Sequence, residues 1–129
     1  MTNKAVIDFR DDPLVKGPCA IVAYARRLNG NRPAMDYIEN LQPLDWAKLA
    51  KSFHYITHIG RIHNPERFRK LCGKIYEFKV HPKVRVLCFQ SGKTWFLTHG
   101  FGKEKGDTPR RQIKRAEEIM EEHISLLTK

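Results

Sequence analysis

Four side chains in the second half of the chain, Lys79, Arg85, His99 and Lys103, are of types that can cut an RNA backbone without a metal or any other cofactor. That reaction has three needs. A ribose 2′-hydroxyl must lose its proton, the phosphoryl oxygens must be stabilised as charge builds on them, and the departing 5′-oxygen must be protonated. Cations and one proton-exchanging group suffice. His99 is the member of the set whose ordinary pKa lies near neutrality. Lys79 and Lys103 are mobile cations that can also carry protons, and Arg85, which keeps its proton, suits a two-pronged grip on phosphate. Lys83, Lys105, Arg110 and Arg111 follow closely as further phosphate-binding cations. Plainer roles compete for several: His99 as a strand-end residue bonded to backbone, Lys103 and Lys105 as a solvated loop, and Arg85 as the partner of Glu77 on an adjoining strand.

The elements that must position these groups can be read from residue patterning. Enrichment in β-branched and aromatic residues, punctuated by Pro and Gly, predicts strands over Lys74–Val80, Val84–Gln90 and Thr94–His99. Connections this short join only antiparallel neighbours, so the three form a meander. The period of two puts Tyr76, Phe78 and Val80 on one face, with Ile75, Glu77 and Lys79 on the other. In the second strand Val84, Val86 and Cys88 oppose Arg85, Leu87 and Phe89; neither face is polar throughout, as expected of a central strand covered on both sides. Arg85 within such a strand requires a carboxylate or a ligand, because an unpaired buried charge costs several kcal/mol.

Ala20–Arg26 is predicted as a further strand, with a helix over Ala20–Leu28 as the competing reading; Asn29-Gly30 then supplies a turn. Pro33 suits the first turn of a helix with Met35, Ile38 and Leu41 inward. A longer helix is predicted over Leu44–Ile59, with Trp46, Leu49, Ala50, Phe53 and Ile56 on its buried face, Lys48, Lys51 and Ser52 on the other, and Gly60 ending it. Within it, His54 and His58 stand one helical turn apart. A zincin-type metal site needs a glutamate directly after the first histidine, where Tyr55 stands, and no third ligand follows; the pair reads as two surface histidines. Arg61–Cys72 reads as an irregular basic connector. Thr108 and Pro109 look like the N-cap and first residue of a last helix to about Leu127, with Ile113, Ala116, Met120, Ile124 and Leu127 inward. Its charges oppose the helix macrodipole, arginines first and glutamates after. An arginine-bearing helix start is, however, a ready phosphate site.

Composition narrows the partners. The 129 residues carry a net charge of +10, and Arg61–Arg115 alone holds 15 Lys and Arg against four acids. Such concentration on a compact unit points to a polyanion, nucleic acid or an acidic protein. No apolar run approaches a membrane span, the N-terminus lacks an export signal, and three widely spaced cysteines fit a reducing cytoplasm. The expected organisation is a single domain over residues 19–129. An arm or extra strand precedes it over residues 1–18, in which Ala5–Phe9 is a short apolar stretch.

The run IYEFKVHPKVRVLCF, followed by WFLTHGFGKEKGDTPRRQIKRAEE, resembles the phage-derived, HigB-like branch of the RelE/ParE toxin superfamily. Asn29-Gly30-Asn31-Arg32-Pro33, leading into Asp36-Tyr37-Ile38, is also similar, and the likeness spans roughly Ile21–Met120. It implies an α+β fold, a twisted antiparallel sheet (the meander plus an N-terminal strand) packed with two N-terminal helices and one C-terminal helix. It implies a type II toxin, an endoribonuclease that cuts mRNA on the ribosome and is held inactive by a helix-turn-helix antitoxin. Lys79, Arg85, His99, Lys103 and Lys105 fall on the basic positions of the motif. Lys79 replaces the arginine often found there, and the C-terminal tyrosine of many RelE-type nucleases has no counterpart after Tyr76. The alternative is a non-catalytic binder of the same fold, acting on a gyrase-like target or an acidic protein.

Overall fold

A computed structural model describes residues 13–103 and 106–128. Six strands and three helices follow in the order β1 (Pro13–Lys16), β2 (Ile21–Tyr24), α1 (Pro33–Glu39), α2 (Pro43–His58), β3 (Phe68–Cys72), β4 (Ile75–Val80), β5 (Val84–Ser91), β6 (Thr94–Gly102) and α3 (Arg110–Leu127). The strands form one sheet in the order β1-β2-β6-β5-β4-β3. The α+β architecture and the β4–β5–β6 meander agree with the patterning, but the sheet is larger than four strands and mixed. β2 runs parallel to β6, with Ile21 opposite Thr94 and Tyr24 opposite Leu97, while all other neighbours are antiparallel. The parallel pair follows from connectivity: two helices and three strands intervene, ample for the crossover such a pair requires.

Two strands add to the expected four, one in a stretch read as a connector and one within the N-terminal residues read as an arm or extra strand. The basic connector contains β3, an edge strand pairing Phe68 with Phe78 and Arg69 with Glu77. An edge strand needs little apolar patterning and tolerates charge. At the opposite edge β1 pairs with β2, in a stretch whose Asp11-Asp12-Pro13 and Lys16-Gly17-Pro18 break helix and strand signals alike. Ala5–Phe9 lies outside the described residues.

The sheet is covered on both sides. Val22, Phe78, Val80, Val84, Val86, Cys88 and Leu97 face α1 and α2, packing on Ala34, Ile38, Leu49, Phe53 and Ile56. Ile75, Leu87, Phe89 and Phe96 face α3, meeting Ala116 and Ile119. All residues of β5 from Val84 to Phe89 are buried, as its two-sided apolar pattern demands. Gly60, at φ +100°, ends α2 in the left-handed region that favours glycine. Gly100 has a different role: a Cβ there would clash with the Tyr37 ring, so its absence lets α1 approach β6, where the Tyr37 hydroxyl donates to the Phe101 carbonyl at 3.1 Å.

Three helix details depart from expectation. Ser52 is buried, not on the polar face of α2, and its hydroxyl accepts a bond from Arg67 Nη2 at 3.1 Å. Pro109, not Thr108, is the N-cap of α3. The buried line of α3 is Ala116, Ile119 and His123, while Ile124 and Leu127 are exposed. His123 turns inward because its ring packs on Phe96, with centroids 4.2 Å apart, and its Nδ1 accepts the Arg26 amide at 2.9 Å. The reversed charge order of α3 also has a tertiary cause. Glu122 receives Arg27 Nη2 at 2.7 Å, Arg27 Nε at 3.1 Å and the Leu28 amide at 2.9 Å, tying the second half of α3 to the exit of β2. Those bonds hold the Glu122 carboxyl at about 2, well below its ordinary 4.5.

Candidate functional site

The end of β4, the start of β5 and the end of β6 meet at one end of the sheet, because the three strands alternate in direction. Lys79, Lys83, Arg85 and Lys103 are thereby gathered there, and the Lys103 amide donates to the Lys83 carbonyl at 2.8 Å. The loop that enters α3 passes the same end. Between that loop and the β3–β4 edge lies an open groove of about 560 Å³, lined by Glu66, Arg69, Lys79, His81, Arg85 and Asp107 among others. Arg110 and Arg111 are exposed in the first turn of α3 and do not line the groove, and Lys105 lies outside the described residues.

Below the groove is a buried polar cluster. Glu77 is fully buried, diagonal to Arg85 across the β4–β5 pair and directly opposite Arg69 on β3. Arg69 Nε donates to Glu77 Oε1 at 3.1 Å, and Arg85 Nη1 lies 3.6 Å from Glu77 Oε2. The Thr108 hydroxyl completes a relay, accepting from Arg85 Nη1 at 3.2 Å and donating to Glu77 Oε2 through a short bond. Arg85 Nη2 donates to the Gly106 carbonyl at 2.9 Å. The competing reading of Arg85, as the partner of Glu77, is therefore the one that forms, in place of a donor presented to an anion, with a groove still open beside it. Two guanidiniums converge on one carboxylate, and together they fix the loop that makes the groove's far wall. Thr108 serves this relay where it was expected to cap α3. At 1% exposure, Arg85 acts as the floor of the groove, not as a side chain that reaches into it.

Lys79 is better presented. Its side chain is 18% exposed, and its ammonium lies 3.8 Å from Glu66, whose side chain is 80% exposed. With the carboxylate in solvent and the contact long, the pair contributes about 1 kcal/mol, so an incoming phosphate can displace Glu66.

His99 is placed elsewhere. Leu87 pairs with His99 and Cys88 with Leu97, so Thr98 is an extra residue in β6, a one-residue bulge. The bulge reverses the alternation of β6: Leu97 faces α1 and α2, whereas His99 faces α3. There its Nε2–H donates to Gln112 Oε1 at 2.8 Å and its ring stacks on Phe101, with centroids 5.7 Å apart. Burial, with Arg115 and Arg27 adding to it, holds the imidazole at about 4 against an ordinary 6.5. A ring so enclosed is neutral at physiological pH and does not line the groove.

The histidine that does line the groove is His81, in the turn between β4 and β5, and it is exposed. Residue patterning gives Lys83 a phosphate-binding role but His81 none beyond a strand-ending turn, although its position directly after Lys79-Val80 is a usable signal. Arg69 was missed with β3. His54 and His58 stack with centroids 4.0 Å apart, and no cluster of three or more metal-ligating side chains occurs among the described residues. Among the same residues no helix is long and apolar enough to cross a membrane.

Comparison with known protein families matches residues 36–121 to the family described as phage-derived protein Gp49-like. No curated protein matches the sequence significantly. The match covers most of the chain, from α1 to the second half of α3, so the protein belongs to this phage-derived, toxin-like family.

Proposed function

Starting from that membership, we propose that the chain is the toxin of a type II toxin–antitoxin pair, a cytoplasmic endoribonuclease that cuts mRNA on the ribosome. The observation that carries this reading is the groove itself: Arg69, Lys79 and the guanidinium of Arg85 border one open space with an exposed imidazole, His81, on its rim. In this scheme Lys79 and Arg69 hold the scissile phosphate and neutralise the charge that builds on its oxygens. His81 and Lys103 are the proton carriers. One takes the 2′-hydroxyl proton as the 2′-oxygen attacks phosphorus. The other protonates the 5′-oxygen as its bond to phosphorus breaks, leaving a 2′,3′-cyclic phosphate. Arg85 and Glu77 are positioning residues that set the groove wall, and a helix-turn-helix antitoxin is the expected neutralising partner.

Induced expression tests this. Growth arrest accompanied by loss of translated mRNA, both relieved by Lys79→Ala, is the expected result; arrest with intact mRNA counts against it. One observation favours a second reading, a non-catalytic binder of the same fold: Arg85 and His99, two of the four side chains first credited with chemistry, are enclosed. Under that reading His81→Ala leaves toxicity unchanged and mRNA remains whole throughout.

A further inference from the structure

The groove continues past its own rim. A second depression of about 320 Å³ shares Glu66, Lys79, Val80 and His81 with the first, and is completed by Lys48, Lys51, Ser52 and Arg67. A third, of about 260 Å³, shares Arg67 with the second and adds Tyr55, Ile62, His63 and Asn64. One wall is a single face of α2, since Lys48, Lys51 and Tyr55 follow at the three- and four-residue spacing that aligns side chains along a helix. From Lys48 to Tyr55 this wall is about 10 Å long, seven residues at about 1.5 Å each. The other wall is the segment from Ile62 to Arg67.

Charge and shape change along the path. The first two depressions present Lys48, Lys51, Arg67, Arg69 and Lys79 over the Arg85 floor, with Glu66 and Asp107 as the acids. The third presents Tyr55, a residue 45% exposed, beside His63 and Arg67. Cations that track a backbone, followed by an aromatic face able to stack on a base, are the pairing that single-stranded nucleic acid requires. An acidic peptide would satisfy the lysines but gives no reason for an exposed ring beside a guanidinium.

We propose that these depressions form one continuous track for single-stranded RNA, passing from the groove beside α3 over Lys79 and His81 onto α2. Lys48, Lys51 and Arg67 hold backbone phosphates there, and Tyr55 stacks a base several nucleotides from the scissile bond. This rests on the proposed nuclease reading and extends it from a phosphate site to a strand-length footprint.

The test is fluorescence anisotropy of the full chain with labelled 2′-O-methyl oligoribonucleotides, which cannot be cleaved by 2′-oxygen attack, three and nine nucleotides long. Polyglutamate serves as a competitor. The nine-mer is expected to bind tighter than the three-mer. The exposed double substitution Lys48→Glu/Lys51→Glu should weaken the nine-mer by about tenfold or more and flatten the slope of log K against log salt by about 1.4, two phosphate contacts at about 0.7 each. Tyr55→Ala should weaken it by about tenfold, in the range of one lost stacking contact, and leave the slope unchanged. If both leave the nine-mer within twofold while Lys79→Glu weakens it, the track is overturned and the cleavage groove stands. If Lys79→Glu is also without effect and polyglutamate displaces RNA at equal charge, the nuclease reading falls with it.

Discussion

Mild acid should destabilise this protein before most carboxylates begin to titrate, because two imidazoles are enclosed without charge. His99 and His123 are each held at about 4 against an ordinary 6.5, in both cases chiefly by burial. In the unfolded chain both rings take up protons as pH falls through 6.5, whereas in the folded protein they resist until about 4. The unfolded state thus binds more protons throughout that interval, and stability falls as pH falls. Between pH 7 and pH 5 each ring removes on the order of 2 kcal/mol, and the pair about 4. That is a large share of the roughly 5–15 kcal/mol typical of a domain. Urea denaturation at pH 7, 6 and 5, at constant ionic strength, should show the midpoint falling by about 2 M across the series for a slope near 2 kcal/mol per M. His99→Gln, which keeps a donor toward Gln112, should remove about half of the dependence. A midpoint that stays flat from pH 7 to 5, or an imidazole NMR titration placing His99 at 6 or above, would show that burial does not hold the ring neutral and would make His99 a candidate proton carrier again.

Other consequences follow from the same contacts. Glu77→Ala should cost about 3–5 kcal/mol in chemical denaturation, because it leaves two guanidiniums facing a site without its carboxylate; Glu77→Gln should cost distinctly less. Gly100→Ala should lower the melting temperature by several degrees, about 1–3 kcal/mol of overpacking against the Tyr37 ring. The double variant with Tyr37→Ala should recover part of that loss, and strict additivity would show that no clash occurs. Glu122→Gln should destabilise by about 1–2 kcal/mol and remove the acid-sensitive component that the paired carboxylate loses as pH falls from 4.5 toward 2.

Much of this fold could be read from residue order, and the failures have identifiable physical causes. The meander was visible because Tyr76, Phe78 and Val80 alternate with Ile75, Glu77 and Lys79, and both sets found the faces assigned to them. β3 was invisible because an edge strand such as Phe68–Cys72 needs only Phe68 and Leu71 inward, too few to show a period. With β3 went Arg69, and so the shared carboxylate under the groove. His99 was misjudged for a subtler reason. A single extra residue, Thr98, reverses the side to which the next residue points, and nothing in the types Leu97-Thr98-His99 signals the slip. His81 was overlooked because a Pro-containing turn reads as a connector, although loops at a sheet end are where accessible side chains collect. The α3 stripe was shifted since His123 occupies a core position through a backbone bond to β2's exit, a contact 97 residues apart in sequence.

In the proposed reaction, cations gathered at one end of the sheet grip an RNA backbone so that the neighbouring 2′-oxygen can attack. The direct test uses ribosomes stalled on a short message, with and without a single 2′-deoxy substitution at the scissile nucleotide, treated with purified wild-type and Lys79→Ala protein. The expected result is cleavage of the all-ribose message by the wild type, loss of cleavage at the 2′-deoxy position, and a rate at least about a hundredfold lower with Lys79→Ala, the size expected for removing a charge-stabilising group. Cleavage of the 2′-deoxy message at an undiminished rate, or no cleavage of either message while the protein still halts growth, would rule this chemistry out.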